Sequence, residues 1–253
     1  GAHHAQNRSI GGGVLREGEF DAMDRFILDF SGAAKPRVLF VPTASSDAEE
    51  YVDAFDEAYG RKLGCDVDVL YPLGRDPSAD EFVAKVLSAY IVYVGGGNTL
   101  KMMRRWRRLG IDRLMTQAWD KGTVLCGVSA DAICWFSHGH SDSMSSYSDD
   151  WNYLAVKGVG LVDALTCPHY DSDTGGVPRR QDFHEMVLKR SGPAVAIDND
   201  CAIAFRDDSY QVVSARPCAG AYRLRREHGT IVGEPLPNDG EWSPISQILN
   251  AGG

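Results

Sequence analysis

The order of apolar segments predicts an α/β fold. It is three-layered: a mostly parallel central sheet, helices on both faces, and an antiparallel strand extension at the C-terminal end. Three observations carry that prediction. Short apolar runs of strand length alternate with amphipathic stretches of helical period along the first half of the chain. The runs Val38-Leu39-Phe40-Val41 and Thr123 to Val128 are apolar throughout rather than alternating, as strands covered on both faces are. Glycine clusters at 11–13 and 95–97, and the turn Gly127-Val128-Ser129, close such runs. Ligands of a parallel sheet bind beyond those carboxyl ends.

Taken in order, Ser9-Ile10 is a short strand that runs into Gly11-Gly12-Gly13. Glu19 to Phe30 carries Phe20, Met23, Phe26, Ile27 and Phe30 at helical spacing. Arg37 to Thr43 is a strand, and Asp47 to Leu63 is a helix with Tyr51, Phe55 and Tyr59 on one stripe and Gly64 as its stop. Val67 to Leu73 is a third strand. Ser78-Ala79-Asp80-Glu81 is a capping box, in which the serine hydroxyl and the glutamate satisfy helix-terminal N–H groups, so a helix opens there and runs through Leu87. Tyr90 to Val94 is a strand that enters Gly95-Gly96-Gly97-Asn98-Thr99. Two helices follow, near Leu100–Leu109 and Ile111–Asp120, before the apolar strand that ends at Ser129.

Ala130 to Phe136 has helical character, and Ser137 to Trp151 is a polar stretch without periodicity that reads as a long loop. Leu161 to Cys167 is strand-like and delivers Pro168-His169-Tyr170-Asp171. Arg179 to Lys189 is helical. Ala194–Ile197, Cys201–Phe205, Gln211–Ser214 and Tyr222–Arg225 suit an antiparallel meander at the sheet's edge. No internal repeat or low-complexity linker divides the chain, so one domain over residues 1–253 is expected, with the opening Gly-Ala-His-His left out of the fold argument.

Composition narrows the functional classes. A net charge of −9 opposes a general nucleic-acid or anionic-membrane partner, because phosphate is repelled on average. The local exception, Arg104-Arg105-Trp106-Arg107-Arg108, is flanked by Met103 and Leu109 and reads as a helix with a solvated basic face. The six cysteines are scattered without a Cys-x-x-Cys pair, as reduced core thiols are. No apolar stretch has the length of a membrane span. A soluble protein of a reducing, cytoplasmic compartment is expected, a monomer or homodimer.

The chemistry centres on Ser129. A serine on a sharp strand-to-helix turn is a nucleophile elbow: the turn exposes the hydroxyl, and the helix start offers N–H groups to an oxyanion. A serine needs a base, and the base an orienting partner. Of the seven histidines, His169 follows a strand that can lie beside the central one. His138 and His140 sit closer in sequence, in the polar stretch. Asp142 is the orienting acid best placed by order, with Asp171 and Asp173 as local alternatives. His138-x-His140-x-Asp142 has no further ligand at metal spacing, so neither metal nor cofactor is expected.

Gly95-Gly96-Gly97-Asn98-Thr99, Gly127-Val128-Ser129-Ala130, Ser141-Asp142-Ser143 and Cys167-Pro168-His169-Tyr170-Asp171 occur in the order seen in the peptidase E and cyanophycinase family. The chain resembles that family from Val38 to Ile197. The resemblance implies serine peptidases on a fold like class I glutamine amidotransferases, with Ser129 as nucleophile, His169 as base and Asp142 as acid. It implies Gly97 and Ala130 as backbone oxyanion donors and Asn98 as a substrate-binding residue. It further implies a small peptide substrate with amino-terminal aspartate, its carboxylate held by Arg179 or Arg180, an arginine fork being suited to bidentate binding. A cyanophycinase-like amide hydrolase is the neighbouring reading. The chain departs from the family at Asp131, where the elbow favours glycine; the departure raises a further alternative, a silent relative that binds a small acidic peptide or amino acid.

Overall fold

The computed structural model describes residues 8–12, 21–73 and 78–250, with residues 8–12, 21, 131 and 177 described by their backbone alone. The predicted alternation is realised as β1 (Arg8–Gly12), α1 (Asp21–Ser31), β2 (Arg37–Val41), α2 (Glu49–Phe55), β3 (Asp66–Val69), α3 (Ala79–Ser88), β4 (Ile91–Val94), α4 (Thr99–Leu109), α5 (Ile111–Asp120), β5 (Val124–Gly127) and α6 (Ala130–Cys134). The α2 segment continues as a wider π turn over Asp56–Lys62 and stops at Gly64, whose φ of 72° only glycine adopts without cost. Ser78 caps α3 as its sequence foretells, its Oγ accepting from the Glu81 N–H at 3.2 Å. Gly13, Glu19 and Phe20 lie outside the described residues.

The second half consists of β6 (Phe136–Ser141), β7 (Leu154–Lys157), β8 (Val162–Cys167), a two-residue ladder of β9 (Asp173–Thr174) and β10 (Val177–Pro178), α7 (Arg179–Leu188), β11 (Ala194–Ile197), β12 (Cys201–Arg206), β13 (Ser209–Ser214), β14 (Ala221–Glu227), β15 (Thr230–Pro235), β16 (Ser243–Pro244) and α8 (Ser246–Leu249). Two sheets, not one, organise these strands. The eight-stranded sheet runs β16-β13-β12-β1-β5-β4-β2-β3, and the six-stranded sheet runs β15-β14-β11-β8-β6-β7. In the first, β1, β5, β4, β2 and β3 are parallel and β12 joins antiparallel; in the second, β11, β8 and β6 are parallel.

Two expectations change here. Phe136 does not end a helix, and the stretch after it is not a structureless loop. The α6 helix stops at Cys134, and Phe136–Ser141 becomes an interior strand between β8 and β7. Gly139 lets that strand lie against α6: a Cβ there would stand 2.6 Å from the Ile133 side chain. Nor do the last strands form one meander. β11, β14 and β15 extend the second sheet while β12, β13 and β16 extend the first, so the chain crosses between sheets at Asp198-Asn199-Asp200.

Apolar burial explains the layering. On one face of the first sheet, Leu39, Val92 and Leu125 pack with Met102, Met103, Trp106 and Met115 of α4 and α5. On the other, Phe40 and Tyr93 meet Phe55 and Tyr59, with Phe40 and Phe55 stacked at 4.1 Å and Phe55 and Tyr59 at 4.5 Å. Each ring buried in this way contributes roughly 1.5–3 kcal/mol relative to exposure. The basic stretch behaves as its pattern foretells: Trp106 is buried, donating its indole N–H to Thr43 Oγ1 at 3.1 Å, while Arg104 and Arg107 stay exposed. A third cluster, with Phe136, Ile197, Ile203 and Phe205, joins the two sheets.

Candidate active site

Five strands, two from the first sheet and three from the second, deliver the site. β5 ends in the turn that carries Ser129, and neighbouring β4 ends in Gly95-Gly96-Gly97. In the second sheet, β6, β8 and β11 lie side by side, and just past their carboxyl ends stand Asp142, His169 and Asn199. His169 is therefore flanked by Asp142 on one side and Asn199 on the other. Both Ser129 and His169 have positive φ, 58° and 55°, which costs non-glycine residues on the order of 1–3 kcal/mol each. Ser129 takes that conformation at the start of α6, which turns its side chain out of the strand.

Ser129 Oγ lies 3.0 Å from His169 Nε2, and His169 Nδ1 lies 2.7 Å from Asn199 Oδ1. The orientation of the Asn199 amide follows from its other bonds. Its Nδ2 donates to Asp171 Oδ1 at 2.9 Å and to Ser172 Oγ at 2.8 Å, so the amide oxygen faces the imidazole. That oxygen only accepts, so Nδ1 carries the ring proton and Nε2 is left to accept from the Ser129 hydroxyl. Burial lowers the His169 pKa, opposed by the Asn199 bond, so the ring is a neutral base at pH 7. Asp171 also accepts from the Asn199 backbone N–H at 2.9 Å and pairs with Arg216 at 3.2 Å.

Asp142 does not orient His169. Its Oδ2 accepts from the Arg179 guanidinium and from Thr174 Oγ1, the latter at 2.9 Å. The reason is topological. The imidazole turns its Nδ1 toward the β11 side, and Asp142 ends β6 on the opposite side. Asp173 opens β9, and its Oδ1 accepts from the Gly176 N–H at 3.0 Å. The sequence does hold a clue to Asn199. Asp198-Asn199-Asp200 follows an apolar strand, the position where parallel sheets present ligand groups. As an uncharged amide, Asn199 leaves no mark in the order of the acidic residues.

Gly97 lines the cleft beside Ser129. Its φ is 135°, and a Cβ would stand 2.4 Å from the Ala44 carbonyl oxygen, so only glycine fits. The Gly96 N–H is engaged by Tyr51 Oη at 3.3 Å, which leaves Gly97 as the donor of that turn with no acceptor among the described residues. Ala130 is the first residue of α6, where backbone N–H groups lack intrahelical partners. The side chain of Asp131 lies outside what is described.

The remaining expected residues divide. Asn98 lines the cleft and ties its walls together: Oδ1 accepts from the Lys101 N–H at 3.0 Å and Nδ2 donates to Ser143 O at 2.9 Å. Arg179 is buried 5.2 Å from the Tyr153 ring centre and bound to Asp142, whereas exposed Arg180 lies 4.5 Å over Tyr170. His140 is fully buried, its Nε2 2.9 Å from Asp182 Oδ1 and its Nδ1 3.7 Å from Cys167 Sγ. Burial lowers its pKa to about 4 and raises that of the Cys167 thiol. Among the described residues no group of three or more His, Cys, Asp or Glu side chains is placed to hold a metal, and no helix is long and apolar enough to cross a membrane.

A serine on a strand-to-helix turn, bonded to a histidine whose far nitrogen is fixed by a third side chain, is the arrangement of serine-type hydrolases. The chain belongs to peptidase family S51, whose model matches residues 9–213, and is a serine-type peptidase by that membership. It is 36% identical over 231 residues to the uncharacterized peptidase YgaJ of Bacillus subtilis, covering 90% of this chain and 94% of that protein. With the uncharacterized peptidase Lin0382 of Listeria innocua it shares 30% identity, covering 68% of this chain and 81% of that one. The fold is similar to the crystal structure of a peptidase from an acI-B1 Actinobacterium, with a TM-score of 0.73, 21% identity, and coverage of 95% and 98% of the two chains. A crystal structure of a putative peptidase E protein from Listeria monocytogenes matches with a TM-score of 0.62 and 22% identity, over 83% of this chain and 99% of that one.

Proposed function

We propose that this peptidase is an exopeptidase of small peptides, with a preference for amino-terminal aspartate, acting through an acyl-enzyme on Ser129. The observation that carries this reading is the 3.0 Å contact between Ser129 Oγ and His169 Nε2 at the edge of a polar cleft of about 560 Å3. That volume suits a small ligand rather than a folded chain. His169 takes the hydroxyl proton as Oγ attacks the peptide carbonyl carbon, and the carbonyl oxygen becomes an oxyanion facing the N–H groups of Gly97 and Ala130. Collapse of that intermediate breaks the C–N bond, and the proton on Nε2 passes to the leaving amine. Water, deprotonated by the same nitrogen, then attacks the ester, frees the acid and restores Ser129. Asn199 holds the tautomer through both halves, as an amide does in Cys-His-Asn sites.

The test is Ser129→Ala against a panel of dipeptides. Loss of about 10⁴- to 10⁶-fold in kcat with an unchanged thermal midpoint is expected, since a hydroxyl on a turn contributes little packing. Undiminished hydrolysis by the variant refutes the mechanism.

A further inference from the structure

The cleft beside Ser129 is lined by two charged side chains, Asp142 and Lys101, among serines, backbone and Tyr147. Their situations differ. The charge of Asp142 is met by Arg179, and that same pairing occupies the arginine expected to hold a substrate carboxylate. Lys101 has no carboxylate partner among the described residues; its Nζ donates to the neutral Ser46 hydroxyl at 2.7 Å. Ser46 also lines the cleft and has a φ of 66°, so the ammonium is tethered at the wall rather than swinging free.

Lys101 is also placed against local preference. It is the third residue of α4, after the Asn98 cap, and the first turn of a helix disfavours a cation. No acidic residue stands in that turn to offset it. An anion arriving in the cleft meets the ammonium and the positive end of the helix together. Arg180 is the other cation expected for this role, but it lies over Tyr170 and is not part of the cleft lining.

From this, and resting on the peptidase reading of Ser129, we infer that Lys101 is the specificity-determining residue that receives a carboxylate of the peptide substrate. Arg179, by contrast, serves to hold Asp142 in place. Two carboxylates of a short peptide have the required chemistry: the side chain of an amino-terminal aspartate and the carboxyl terminus itself. Either makes the enzyme a reader of small anionic peptides.

The experiment measures binding, by calorimetry, of Asp-Leu, Asp-leucinamide, Ala-Leu and Ala-leucinamide to the Ser129→Ala protein with and without Lys101→Met, so that turnover is not needed. A charge-assisted bond in a partly enclosed cleft predicts a loss of about 10- to 100-fold in affinity for the peptide that uses it. Loss confined to Asp-Leu and Asp-leucinamide identifies the aspartate side chain as the anion. Loss confined to Asp-Leu and Ala-Leu identifies the carboxyl terminus. Lys101→Arg should restore most of the affinity in either case. An equal effect on all four peptides, or none on any, overturns the inference. In the parallel kinetic assay with Ser129 intact, Lys101→Met should raise KM while sparing kcat. Absence of hydrolysis by the wild-type enzyme with the binding pattern preserved would count against the Ser129 mechanism and not against Lys101.

Discussion

Ser129 and His169 meet from different sheets, and each is held in a backbone conformation that most side chains avoid. Their contact becomes directional only because Asn199 fixes the imidazole tautomer. An amide in that place carries no charge, so in the proposed mechanism the imidazolium formed during attack is stabilised by a dipole rather than an ion. Three consequences are measurable. The acidic limb of the kcat/KM profile should lie below the ordinary imidazole pKa, because burial disfavours the protonated ring. In Asn199→Asp, a carboxylate next to the ring favours its charged form, so that limb should move to higher pH. Asn199→Ala should lower kcat by about 10²-fold or more without moving KM comparably, a positioning loss. A limb that stays in place in the aspartate variant would show that Asn199 does not face the base in solution.

At the scale of the element, the triple-glycine turn after β4 is the most constrained piece of the site. Gly95 packs on Tyr51 and Phe40, Gly96 faces the Ser129 Cβ, and Gly97 abuts the backbone at Ala44. Gly97→Ala introduces a Cβ only 2.4 Å from a carbonyl oxygen, at a φ of 135°. The turn must then shift by a substantial fraction of an ångström. A stability loss of about 1–3 kcal/mol is expected from the strain. The loss in kcat should be larger in proportion, about 10²- to 10³-fold, because in the proposed mechanism the displaced N–H is the one that faces the oxyanion. Thermal unfolding and steady-state kinetics on the same variant separate the two effects, and equal retention of kcat would remove Gly97 from the oxyanion site.

At the scale of the whole molecule, the two sheets meet at the candidate site, and polar contacts as well as apolar packing hold the helices on them. His140 of β6 and Asp182 of α7 form one such contact, which ties α7 to the second sheet, with the buried ring enclosed between Tyr153 and Phe183. Desolvation is the largest influence on this ring and lowers its pKa to about 4, against the raising effect of Asp182. The native state therefore holds His140 neutral, while the unfolded chain protonates it near pH 6.5. Below pH 6.5 the unfolded state binds the extra proton, so this contribution to stability is complete above that pH and is lost as pH falls to about 4. The loss is on the order of 3 kcal/mol. Chemical denaturation of wild type and His140→Phe across that range should show a shallower decline for the phenylalanine variant. Parallel declines would assign the acid sensitivity to other groups.

The amino-acid sequence by itself determined the alternating α/β plan, the serine turn and the placement of His169. Each is written in short-range signals: the continuous apolar run to Gly127, the glycines after Val94, the cap at Ser78, the strand that ends at Cys167. These signals act within about ten residues, where periodicity and turn chemistry dominate. The tertiary structure alone decided that Phe136–Ser141 is an interior strand, since its polar alternation with Gly139 becomes favourable only against Ile133 and between two partner strands. It also decided that Asn199 rather than Asp142 faces His169, and that Arg179 is already paired. Those outcomes depend on the lateral order β11-β8-β6, and strand order follows from long-range burial of apolar faces, which leaves no local mark on the polar residues at the strand ends.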